Sequence, residues 1–454
     1  MRRSLHACLL LLLALPIWVG LSAPATAQDA TLGERLELYF EAVAANRDFS
    51  GIIAARRGDA LLAYEVFGEA DFEAGTGFDA QSRFHAGSMT KALIYAVLLE
   101  VEAEGDLDRS AAVRTLIPEL PATYGATIGE VMAGTAPLPP LGRDELIDAR
   151  NDTFLSWFAH AYEPATAIPA EASAAQLPLM ALIAERAGGG RMELQAALEV
   201  FAPLGMTQSV FYRGSGRTPQ RLVTGYLPAG SPLQVDRAGA RPAGLIDHGW
   251  WTTPDDLIRF GAALSRREVD FFRADGSLAG GLQREIIADQ AVYQLTGEAE
   301  GQHMGILFIP SEELVIAYAV NIASYPAAAL PQILSQIILL EPTQSLPDRL
   351  ASYRWLDSHL DAAGQYVLPN GQRLELRAEA GGLVLQPSGE RLTPTGEDRL
   401  LWRAMNTELL MIRRAEDGAV ERLQASRHLP LQSPERFDIG RTVLPELIAD
   451  EAAD

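Results

Sequence analysis

The sequence predicts a mixed α/β fold of the α+β kind: one sheet gathered from two distant stretches of chain around a largely helical middle, then a small all-β unit. Three observations carry this. Alternating apolar residues over Ser50–Arg57 and Leu61–Phe67, with Gly58-Asp59 between them, read as two paired strands. Strand-like runs return only at Gln290–Thr296, Met304–Pro310 and Leu314–Val320, so strands from both ends of this region must share a sheet. After the polar stretch Glu341–Asp348, short strand candidates alternate with turn signals to near the end of the chain.

The elements follow in order. From Ser88 to Glu104 there is no Gly or Pro, and Ala, Leu and Val dominate, which predicts a helix ended by Gly105. Its apolar residues Ala92, Leu93, Ala96, Val97 and Leu99 spread around most of the cylinder, as in a buried helix. Leu177–Ala187 and Pro254–Leu264 are further helices, separated by long Pro/Gly-rich connections, and Pro326–Leu340 closes the unit. Gly188-Gly189-Gly190 follows a helix and reads as its stop, not a phosphate cradle. Gly214-Ser215-Gly216 lacks the spacing of a nucleophile elbow and reads as a turn. The later strand candidates are Gln365–Leu368, Arg373–Ala378, Leu383–Gln386, Leu400–Arg403, Leu409–Arg414 and Val420–Ala425.

The N-terminus predicts export. Arg2 and Arg3 precede an apolar run from Ala7 to Val19, and Ala25-Thr26-Ala27 has the small-x-small form of a cleavage site. Residues 1–27 therefore read as a signal peptide, and the location as periplasmic or secreted. Cys8, the only cysteine, lies inside that segment, so the mature chain has no thiol, disulfide or cysteine metal site. Cleavage removes two arginines and no acid, which takes the net charge from −22 to −24. So acidic a chain does not bind nucleic acid or anionic lipid nonspecifically. No later run approaches the length of a membrane span. The remaining histidines stand singly, with no metal-ligand spacing, and no metal or other cofactor is expected.

One residue type points to chemistry. The chain of 454 residues has a single lysine, Lys91, three positions after Ser88, and its other basic side chains are all arginine. Arginine keeps its proton in a protein, whereas a lysine in a low-dielectric place gives it up and acts as a base. On a helix, i and i+3 share a face, so Ser88 and Lys91 meet as nucleophile and base.

The surrounding residues resemble the exported serine hydrolases related to class C β-lactamases, a family that includes esterases, D-aminopeptidases and DD-carboxypeptidase-like proteins. Phe49-Ser50-Gly51-Ile52-Ile53, Thr76-Gly77 and Arg83-Phe84-His85-Ala86-Gly87-Ser88-Met89-Thr90-Lys91 resemble its opening block. Glu104-Gly105-Asp106-Leu107-Asp108, Pro203-Leu204-Gly205-Met206-Thr207, Gly225-Tyr226 and Thr252-Thr253-Pro254-Asp255-Asp256-Leu257 resemble later landmarks. The resemblance covers nearly the whole mature chain. It implies a β-lactamase/transpeptidase-like fold: an antiparallel sheet flanked by helices beside an all-helical region, with the site at their junction. It also implies a hydrolase domain over 28–345 and a lipocalin-like or sandwich β domain over 346–432, leaving 433–454 as an acidic tail.

The same resemblance marks departures. The family's Tyr-x-Asn motif falls on Ala172-Ser173-Ala174, counting back from Glu185-Arg186, which leaves Ser173 as a weak hydroxyl candidate and Tyr162 as a substitute from another loop. The Lys/His-Thr-Gly motif falls on Leu295-Thr296-Gly297, so Thr296, Gly297 and the N–H of Glu298 are retained as oxyanion and substrate contacts without the cation. The His-Thr-Ser-Gly-Leu loop becomes Gly134-Thr135-Ala136-Pro137-Leu138. The expectation is a serine hydrolase of low efficiency acting on an ester or amide of a small molecule or peptide. A noncatalytic binding protein on the same fold is the alternative. The sequence leaves the oligomeric state open.

Overall fold

A computed structural model of the chain describes residues 31–45, 49–141, 151–212, 218–228, 235–238, 249–273, 276–287, 289–299, 301–339, 354–380, 382–386, 389–405, 407–427 and 435–441. The signal segment, the linker 341–348, Gly214-Ser215-Gly216 and the last residues of the acidic tail lie outside them.

The first part opens with helix α1 (Leu32–Ala45) and the hairpin β1 (Gly51–Arg57) and β2 (Ala60–Phe67). Strand β3 (Phe84–His85) leads through a 3-10 turn at Gly87–Met89 into α2 (Thr90–Ala103). The helical middle contains α3 (Ile128–Ala133), α4 (Asn151–Ala161), α5 (Gln176–Ala187) and α6 (Met192–Gln195), the last continuing as a π-helical turn to Phe201. Short strands β4 (Pro137–Leu138) and β5 (Ile168–Pro169) pair within it. Strands β6 (Val210–Phe211), β7 (Tyr226–Pro228), β8 (Val235–Arg237) and β9 (Trp250–Thr252) lead to α7 (Pro254–Ser265). Then come β10 (Gln283–Ile287), β11 (Gln290–Ala299), β12 (Gln302–Ile309), β13 (Leu314–Val320) and α8 (Tyr325–Leu339).

Six of these strands form one antiparallel sheet in the order β10-β11-β12-β13-β1-β2, so the hairpin from the start of the chain closes against the last strand, as expected. The two-residue alternation of strands sorts side chains to two cores. Ile52, Ala54, Leu295, Met304, Ile306, Ala317 and Ala319 face α2, α5 and α7. Ile53, Ala55, Leu307, Ile316, Tyr318 and Val320 face α1 and α8. Helix α7 shows how local sequence fixes an end: the Thr253 side chain accepts from Asp256 N–H at 3.3 Å, Pro254 occupies the first turn, and Asp255 and Asp256 meet the positive end of the dipole.

The second part begins with α9 (Asp357–Leu360), which His359 pins by accepting from Leu356 N–H at 2.9 Å and bonding Gly396 O at 2.8 Å. Eight strands follow: β14 (Gly364–Val367), β15 (Arg373–Glu379), β16 (Gly382–Gln386), β17 (Thr393–Gly396), β18 (Arg399–Trp402), β19 (Thr407–Arg413), β20 (Val420–Arg427) and β21 (Glu435–Arg441). They form one sheet, ordered β16-β15-β14-β21-β20-β19-β18-β17. Its two ends approach each other through a bridge between Val384 and Arg391 and the bond from Leu392 N–H to Leu383 O. The unit is thus a single curled sheet around one core. Its 3-10 turn at Arg403–Met405 packs on α8 of the first part.

Two strands correct the sequence reading. β21 falls in the stretch assigned to the acidic tail, yet it pairs with both β14 and β20 in the middle of the sheet. Among its charges only Phe437 and Ile439 alternate, too weak a pattern to stand out. β17 was hidden by Pro394 and Gly396, residues tolerated there because it lies at an end of the sheet order.

Candidate active site

The strand β3 carries the chain to the turn that holds Ser88. It pairs with β9, His85 opposite Trp251, and Ala86 N–H donates to Trp250 O at 2.9 Å. Gly87 then takes a left-handed φ of +53°. A Cβ there would stand 2.0 Å from the carbonyl oxygen of Glu298 and 2.8 Å from its nitrogen. On the facing strand, a Cβ on Gly297 would stand 2.0 Å from Ala86 O and 2.9 Å from Met89 N. Glycine on both sides lets two backbones touch, and this contact sets β11 against the turn holding Ser88.

Ser88 is exposed between the buried Gly87 and Met89. It sits in the 3-10 turn, two residues ahead of α2, whereas the sequence reading began the helix at Ser88 itself. Lys91 follows in the first turn of α2 and is half-buried on a helix of which nine residues are buried.

Of the facing residues, Thr296 is exposed and Gly297 is buried against the turn. Leu295, which the sequence reading placed where the family carries a cation, points into the first core at 2% exposure. The Glu298 side chain is 73% exposed, and its Oε1 stands 3.7 Å from His303 Nδ1 on β12. Burial pushes the His303 imidazole below its usual range, only partly opposed by the Glu298 charge, so the pair at neutral pH is a polar contact and not an ion pair. Burial, and then the same carboxylate, push the Tyr318 phenol upward, and it stays protonated.

Ser173, the hydroxyl candidate of the sequence reading, lies between α5 and the loop after β4. It is buried, donates to Pro139 O at 2.7 Å and accepts from Ala175 N–H at 3.2 Å. Its one proton thus ties the start of α5 to the loop after β4. Ala172 is exposed and Ala174 half-buried. Tyr162 is packed in an aromatic cluster, stacked on Phe158 and edge-on to Tyr124. The altered loop at Gly134–Leu138 joins the same region, since Glu171 N–H donates to Gly134 O at 2.9 Å. The structure therefore lays the turn that carries Ser88 against Gly297 and Glu298 of β11, with Lys91 following in α2, while Ser173 bonds to Pro139 O and Ala175 N–H. Among the described residues no group of three His, Cys, Asp or Glu side chains is arranged to hold a metal. No described helix is long and apolar enough to cross a membrane.

The turn that holds Ser88 lies against β11 of an antiparallel sheet with helices on both faces. The sequence pattern of the Beta-lactamase family matches residues 36–335. The chain belongs to the β-lactamase family. Solved structures agree in fold. A class C β-lactamase from Rhodobacter sphaeroides is 17% identical, with a TM-score of 0.56 over 68% of this chain and 99% of that one. The octameric penicillin-binding protein homologue from Pyrococcus abyssi is 17% identical, with a TM-score of 0.59 over 89% of this chain and 95% of that one. SurE is 20% identical, with a TM-score of 0.56 over 92% of this chain and all of its own. The last two matches are too long for the β-lactamase-family domain alone and extend into the curled sheet.

Sequence reasoning missed the groups that brace the turn that holds Ser88. His85 Nδ1 accepts from Gly87 N–H at 3.3 Å, and the ring meets Trp251 edge-on with centroids 4.5 Å apart. Gln302 accepts from His85 N–H at 2.9 Å and donates to Val223 O at 3.0 Å. Nothing in the spacing of these residues signals the contacts, of which the one between His85 and Gln302 links positions 217 apart.

Proposed function

We propose that this β-lactamase-family protein is an exported serine hydrolase that works through an acyl-enzyme. The observation that carries the reading is the glycine-to-glycine contact that lays Glu298 against the turn of Ser88. In the first step Lys91 takes the Ser88 proton, Oγ bonds to the substrate carbonyl carbon, and the N–H groups of Ser88 and Glu298 receive the oxyanion. The tetrahedral species collapses with departure of the alcohol or amine, which takes up the proton. Water then repeats the sequence on the ester and releases the acid.

The commitment of Ser173 to Pro139 supports low efficiency, because loss of a positioned proton carrier costs about two to four orders of magnitude. Leu295, buried where a cation would grip a carboxylate, supports a neutral ester or an amine-bearing peptide as substrate over a β-lactam. The exposed Glu298 carboxylate adds repulsion of anions. Side-by-side rates on p-nitrophenyl butyrate and nitrocefin test this: the ester is turned over faster, and efficient nitrocefin hydrolysis overturns the substrate reading. Secretion follows from the N-terminal segment and is checked by the N-terminus of protein recovered from a periplasmic extract, expected at Gln28.

A further inference from the structure

We propose that His85 is a positioning residue whose Nδ1 holds the amide of Gly87 and so fixes the turn that presents Ser88. The inference deepens the hydrolase reading above and rests on it. Gly87 is gripped on one side by the Glu298 backbone, which leaves no room for a Cβ. The Ala86–Gly87 peptide is held at both ends. Its carbonyl accepts from Met89 N–H at 3.1 Å, and its N–H, that of Gly87, donates to Nδ1 of the residue two positions earlier, at 3.3 Å, the ring closure that Asx side chains make in turns. An acceptor at Nδ1 requires the neutral tautomer with its proton on Nε2.

The ring itself is braced. It is buried, edge-on to Trp251, while its own backbone N–H is held by Gln302, whose amide is anchored to Val223 O. β9 thus braces the ring, and β12 with the segment before β7 holds the backbone of the residue whose ring acts on Gly87. A left-handed glycine beside the nucleophile is the softest point in this segment. Fixing its N–H carries through φ and ψ of Gly87 to the direction of the next N–H, that of Ser88.

Two substitutions separate positioning from bulk. His85→Phe keeps a buried ring against Trp251 and removes the acceptor. His85→Asn removes the ring and places Oδ1 where Nδ1 stood, as in an Asx turn. The rate constant for labelling Ser88 with a fluorophosphonate should fall about five- to tenfold in His85→Phe, the worth of one buried hydrogen bond. It should return to within about threefold of wild type in His85→Asn. Hydrogen exchange over residues 85–89, read by mass spectrometry, should accelerate by the same factor in His85→Phe and recover in His85→Asn. Wild-type labelling and exchange in His85→Phe, or a fall in both variants alike, overturns the proposal. If no variant is labelled, the hydrolase reading fails, and the exchange arm still decides whether His85 holds the turn.

Discussion

Gly87→Ala is the sharpest perturbation of the site, because its effect can be worked out from one contact. The new methyl would sit 2.0 Å from Glu298 O at a backbone φ of +53°. To reach even 3.0 Å, below which real Cβ contacts essentially do not occur, β11 and the turn must part by about 1 Å. The left-handed conformation costs about 1–2 kcal/mol for an L side chain, and the overpacking about 1–3 kcal/mol more. Stability should therefore fall by about 2–5 kcal/mol in urea unfolding. A 1 Å displacement between the two N–H groups that face the oxyanion should slow labelling of Ser88 about a hundredfold. Gly105→Ala supplies the control, since Gly105 has φ +88° with no atom within 4 Å of its Cβ position. It should lose about 1 kcal/mol and label at the wild-type rate. If Gly87→Ala labels within threefold of wild type, the contact does not organise the site and the reasoning fails.

Other perturbations test the remaining parts. Lys91→Arg should slow labelling by about two to four orders of magnitude, close to Lys91→Ala, because a permanent cation cannot take the serine proton. Ser173→Ala should cost about 1–3 kcal/mol in urea unfolding by stranding the Pro139 carbonyl, yet label within threefold of wild type; a collapse of labelling with stability intact returns Ser173 to the proton path. The His303 imidazole is pushed down by burial, so below its ordinary value the unfolded chain binds a proton that the folded chain refuses. Its contribution is nil at pH 7.5 and destabilising as pH falls through the range just below about 6.5. The drop in Tm from pH 7.5 to 5.0 should thus shrink in His303→Gln, and an equal drop in both proteins contradicts the assignment.

The fold was legible where one periodicity dominated. The β1–β2 hairpin announced itself by alternation around Gly58-Asp59, and the strands β11, β12 and β13 by apolar runs that the two cores absorb. It was illegible where burial is shared among few side chains: β21 lies in mid-sheet with two alternating apolar residues in a charged segment. At the site, the spacing of Ser88 and Lys91 was readable, but not that Ser88 lies in a 3-10 turn ahead of α2. Leu295 was readable as a missing cation, but only packing shows that its side chain points into the first core. Ser173 shows the limit. A hydroxyl at the right count along the chain cannot reveal which acceptor it will find, and Pro139 is thirty-four residues away. His85, Gln302 and Val223 were invisible for the same reason: their bonds span the two ends of the domain.

The central claim is that Ser88 is the nucleophile of an acyl-enzyme. Incubating the purified protein with an activated ester, quenching in acid and mapping the adduct by peptide mass spectrometry tests it most directly. The account predicts one acyl group on the peptide containing Ser88, which is lost on incubation at neutral pH and never formed in Ser88→Ala. Equal acylation of the wild type and Ser88→Ala, or an adduct elsewhere with Ser88 untouched, contradicts it.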